Sequence, residues 1–60
     1  MGHLILDKGK LLARIKRLKG QLEAVERALE DETPCGEILN IVASMRGAFN
    51  GLTVELMEDQ

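Results

Sequence analysis

The stretch Leu11-Leu12-Ala13-Arg14-Ile15-Lys16-Arg17-Leu18-Lys19-Gly20-Gln21-Leu22-Glu23-Ala24-Val25-Glu26-Arg27-Ala28-Leu29 decides the fold. Within it Leu11, Ile15, Leu18, Leu22, Val25 and Leu29 recur at steps of 4, 3, 4, 3 and 4. That is the rhythm of a heptad seam on a helix; a half-buried strand alternates every second residue. Asp7 stands where its carboxylate can meet the free N–H groups of a helix start. The reading is therefore a first helix over about 7–31. Gly20 lies inside it at a cost of about 1 kcal/mol relative to alanine, and a close contact is the expected reason.

Outward from that stretch, Glu32-Thr33-Pro34 breaks the pattern. Thr33 is a good N-cap and proline suits a first helical position, so a second helix is expected over about 34–60. Ile38, Val42, Met45, Phe49, Leu52 and Leu56 repeat the 4, 3, 4, 3, 4 spacing. Gly47, Ala48 and Gly51 add a small-residue surface that another backbone can approach. The short connection makes the two helices antiparallel neighbours.

The chain has 60 residues, one cysteine and one aromatic side chain, Phe49. A domain of that size is marginal alone, and one cysteine excludes both an internal disulfide framework and a cysteine cluster for structural zinc. Two helices cannot enclose their own apolar stripes. The expected fold class is therefore all-α: a helical hairpin that pairs with a second copy into an antiparallel four-helix bundle. Neither a secretory leader nor an apolar run of membrane-spanning length is visible, and a cytoplasmic protein with no membrane partner is expected.

The net charge of −2 conceals a strong polarity. Lys8, Lys10, Arg14, Lys16, Arg17 and Lys19 fall in residues 8–19 without a single acid, whereas Glu23, Glu26, Glu30, Asp31, Glu32 and Glu37 face only Arg27 in residues 23–37. Lys10, Arg14 and Arg17 stand at i, i+4 and i+7, one strip beside the seam. Cations at that density neutralise phosphates and make binding salt-dependent. With no helix-turn-helix or zinc finger in view, DNA binding would use the exposed face of an assembled bundle, with much backbone contact and readout of shape.

Cys35 is expected at the second position of helix 2, where free N–H groups and the helix dipole favour a thiolate, a metal ligand and nucleophile. His3 is the only histidine, and removal of Met1 exposes Gly2 as a free amine beside it. Amine, imidazole and thiolate suit nickel, cobalt or copper better than calcium or magnesium. Within one hairpin Cys35 and His3 lie a helix length apart, roughly 35 Å. In a two-fold antiparallel dimer the turn of one hairpin lies beside the open end of the other, and a site can form between subunits. The carboxylates read as solvent-facing, and neither a catalytic constellation, a P-loop nor a dinucleotide fingerprint is present, so no enzyme activity is expected.

Residues 12–29, together with Pro34-Cys35, the run Arg46-Gly47-Ala48-Phe49-Asn50-Gly51-Leu52 and the opening Met1-Gly2-His3 followed by Asp7-Lys8, resemble the CsoR/RcnR/FrmR family of bacterial repressors. The resemblance covers nearly the whole chain in order and spacing. It implies all-helical dimers that pair into tetramers, bind operator DNA when empty, and release it when an inducer occupies a site between subunits. The family's central thiol falls on Cys35. In its nickel/cobalt sensors the N-terminal amine and a third-position histidine also ligate, and these fall on Gly2 and His3. The DNA-contact positions fall on Arg14, Arg17 and Arg46, with Lys10 in support.

Two departures stand out. The family's histidine late in helix 2 is Gln60 here, and members continue for about another 30 residues through a third helix. Without the late histidine an ordinary copper(I) site is disfavoured. Nickel or cobalt is the expected inducer, and formaldehyde, using Gly2 and Cys35 without any metal, is the alternative. The rival from another class is a pure helical oligomerisation module without DNA binding.

Overall fold

The computed structural model describes residues 7–58. Two helices, α1 (Lys8–Glu30) and α2 (Cys35–Glu58), pack side by side, with no strand among the described residues. The all-α hairpin expected from the two seams is borne out. Lys10 and Arg14, near the start of α1, meet Glu55 near the end of α2. Gln21, midway along α1, donates through Nε2 to Ser44 Oγ at 2.8 Å. The helices therefore run antiparallel.

Local chemistry accounts for the ends. The Asp7 side chain accepts from the backbone N–H of Lys10 at 3.0 Å and caps α1 as expected. At the other end Thr33 N–H donates to the Ala28 carbonyl at 2.9 Å and Glu32 N–H to that of Leu29 at 3.2 Å. Glu32 has φ 56°, the left-handed conformation. This is a Schellman closure with glutamate where glycine is usual. The second helix begins one residue later than a cap at Thr33 would set it. The Pro34 carbonyl accepts from Glu37 N–H at 3.0 Å and Ile38 N–H at 3.4 Å. Cys35 is thus the first helical residue rather than the second.

The core is thin: Leu18, Ala28 and Leu52 are the buried apolar residues among those described. Only half of each seam lies between the helices. Leu11, Leu18 and Val25 of α1 and Ile38, Met45 and Leu52 of α2 are buried or half-buried. Ile15, Leu22 and Leu29, with Val42, Phe49 and Leu56, point outward; Leu22, Leu29 and Phe49 are 56%, 62% and 55% exposed. The hairpin closes instead on neighbouring heptad rows: Arg14, Gln21 and Ala28 against Ile41, Ala48 and Glu55, each buried or half-buried. Each of these rows is one residue away from the outer row, a rotation of about 100° around the helix.

The expected reason for Gly20 is not found within the hairpin. A methyl group added at Gly20, or at Gly47, would meet nothing within 4 Å. Gly51 differs, because a Cβ there would lie 2.7 Å from Arg14 Nη1. What approaches the small-residue surface at that point is a side chain rather than a backbone.

Candidate functional site

Helical spacing aligns the cations of α1, and the fold then separates them. Lys10, Ala13, Arg14 and Arg17 border one shallow surface. Arg14 and Arg17 also line a groove against Ser44, Gly47 and Ala48 of α2. Arg46 lines the adjoining groove with Ala43, Phe49, Asn50 and Thr53, and Gly47 is common to both. Lys10, Arg14 and Arg17 thus form one strip, whereas Arg46 lines a separate groove with Phe49 of the outward-facing row and is not brought together with them. Lys19 lies instead beside Leu22, Glu23 and Glu26, where acids dilute its field.

Arg14 is not a free surface cation. Its Nε donates to Glu55 Oε1 at 2.6 Å. Lys10 Nζ stands 3.4 Å from Glu55 Oε2. The Glu55 side chain is 13% exposed and that of Arg14 35%. Desolvation pushes the Glu55 carboxyl up, but the hydrogen bonds and charges of Arg14 and Lys10 outweigh it and hold the group below its ordinary range. Sequence reading had placed the carboxylates on solvent faces, and Glu55 is the exception. The signal that could have found it is the heptad step from Ile41 through Ala48 to Glu55, which puts it on the inner face opposite Arg14.

Cys35 is a free, exposed thiol at the first position of α2, beside the turn. Among the described residues no three histidine, cysteine or acidic side chains come together as a metal site. Cys35 alone offers a single donor, which does not make a metal site within the described residues. Gly2, His3 and Gln60 lie outside the described residues. No described helix is long and apolar enough to cross a membrane.

The sequence profile of the metal-sensitive transcriptional repressor family matches residues 7–60. The chain belongs to this family. Its members are repressors rather than enzymes. Among the relatives of this chain, the protein of the bioA 5′ region of Serratia marcescens is 50% identical over 58 residues, covering 97% of this chain and 64% of the relative. A protein of Escherichia coli O139:H28 (strain E24377A / ETEC) described as a transcriptional repressor RcnR homolog is 40% identical over 58 residues, with the same two coverages. The chain thus spans 64% of the length of these relatives. No solved structure matches it.

Proposed function

We propose that this chain forms the DNA-binding and inducer-sensing part of a metal-responsive repressor. The observation that carries the reading is the continuous cationic strip of Lys10, Arg14 and Arg17, in a chain of the repressor family; Arg46 is a further contact on a separate groove. Cations so arranged on a rigid helix contact successive phosphates and fix the protein's register on a duplex. The outer seam rows support assembly. Fully burying a leucine or phenylalanine side chain contributes about 1.5–3 kcal/mol, and the six outer residues are 38–62% exposed in the hairpin, so covering them supplies roughly 5 kcal/mol per chain to a four-helix bundle of two hairpins. Two such dimers form the tetramer. The protein acts in the cytoplasm.

The inducer site lies between subunits. Cys35 of one chain supplies the thiolate, and Gly2 and His3 of another supply the amine and imidazole. A mixed nitrogen and sulfur set of this kind favours nickel or cobalt. The exposure of Cys35 at the turn supports this arrangement, because a second chain can reach it there. The same exposed thiol is a nucleophile, which keeps a formaldehyde-responsive repressor as the second reading.

The test is binding to a duplex from upstream of the protein's own gene, at fixed salt, with nickel, cobalt, copper(I) and formaldehyde added separately. Release by nickel or cobalt is expected, and Cys35→Ala should keep DNA affinity while losing that release. Release by formaldehyde alone selects the second reading. A Cys35→Ala protein that still responds removes the thiol from the site. No DNA binding at any salt leaves a helical oligomerisation module.

A further inference from the structure

The basic strip contains one cation whose position is built by the opposite helix. The Arg14 guanidinium crosses from α1 to α2, donates through Nε to Glu55 at 2.6 Å, and lies over the bare backbone of Gly51. A Cβ on Gly51 would sit 2.7 Å from Nη1 and 3.4 Å from Cζ. Any other residue at position 51 therefore displaces the guanidinium. Gly20 and Gly47, also inside helices, leave open space for a Cβ. A helix-interior glycine costs about 1 kcal/mol relative to alanine, and at Gly51 the contact that uses it is visible. Lys10, on the other oxygen of Glu55, ties a second member of the strip to the same carboxylate.

We propose that Gly51 and Glu55 are positioning residues that seat Arg14 for contact with a DNA phosphate. The inference rests on the DNA-binding reading above. The carboxylate engages Nε, and the side chain keeps its exposure on the groove shared with Arg17, Ser44 and Gly47. An arginine held in one rotamer loses less side-chain freedom on binding than one free in solvent. The seat also sets the distance between Arg14 and Arg17, and so selects the backbone geometry that the strip fits. A purely structural ion pair between the helices is the competing account, and the two differ in what alanine at position 51 does.

The experiment uses Gly51→Ala, Arg14→Ala and the double variant, with thermal unfolding beside binding to the upstream duplex over a salt series. Gly51→Ala removes no charge and adds helix propensity, so its melting temperature should hold or rise. Its DNA affinity should nevertheless fall roughly tenfold, with the salt slope lower by about 1, as for loss of one phosphate contact. In the Arg14→Ala background the same substitution should cost nothing further, because both changes remove one contact. Slow solvent exchange of the Arg14 Nε–H is expected in the wild type, with faster exchange in Gly51→Ala.

Unchanged DNA affinity in Gly51→Ala overturns the proposal. So does a loss that persists in the Arg14→Ala background, or a wild-type Arg14 Nε–H that exchanges as fast as that of Arg17. A wild-type protein that binds no DNA refutes the repressor reading and the proposal together, whereas DNA binding indifferent to alanine at position 51 refutes the seat alone.

Discussion

The inner and outer halves of each seam are the same kind of residue at the same spacing, yet they do different things. Leu11, Leu18, Val25, Ile38, Met45 and Leu52 close the hairpin, while Ile15, Leu22, Leu29, Val42, Phe49 and Leu56 face outward. A two-helix contact is about two heptad rows wide. One apolar row from each helix fills half of it, and the other half is taken by the neighbouring rows, Arg14-Gln21-Ala28 and Ile41-Ala48-Glu55. Those rows are apolar near the turn and charged at the open end. The lesson is that an apolar seam on a short chain can be split between two neighbours, with polar residues entering the near interface so that apolar ones remain for the far one.

The sharpest way to break this contrast is Leu18→Ala. Leu18 is 7% exposed, and truncating it should cost about 2–5 kcal/mol through lost burial and the cavity left behind, read by denaturant unfolding. Phe49→Ala, on the outer row, should leave the hairpin's helicity intact and weaken self-association by at least about tenfold, as expected for a central aromatic anchor; sedimentation over a concentration series measures it. Equal effects of the two substitutions on helicity and association would erase the distinction between the rows.

A smaller effect separates the charged end of the inner face from its apolar middle. The folded Glu55 carboxyl is held below 4.5, its unfolded value. Its contribution to stability is therefore fully present above 4.5 and is lost as pH falls through the lower folded value. Wild type should melt above Glu55→Gln near neutral pH, and the gap should narrow on acidification below that value. A gap independent of pH would mean that the carboxylate charge contributes nothing to the link with Arg14. Smallest of all is the turn: Glu32 holds φ 56°, and Glu32→Gly should stabilise the hairpin by up to about 1 kcal/mol by relieving the left-handed conformation, seen as a modest rise in melting temperature.

Periodicity and capping alone settled the helices, the break near Pro34 and the strip of Lys10, Arg14 and Arg17, because those depend on neighbours within a turn or two along the chain. The family was legible for a related reason: the segments carrying it lie in order along the chain. Packing alone decided which half of each seam closes the hairpin, since rows one residue apart differ by about 100° in direction and both helices must agree on a common face. It also decided that Glu55 turns inward, that Arg14 is held over Gly51, and that Gly20 and Gly47 meet nothing within the hairpin. Arg14 and Glu55 are separated by 41 positions in the chain. No local pattern relates them until the turn at Glu32 sets the register of one helix against the other.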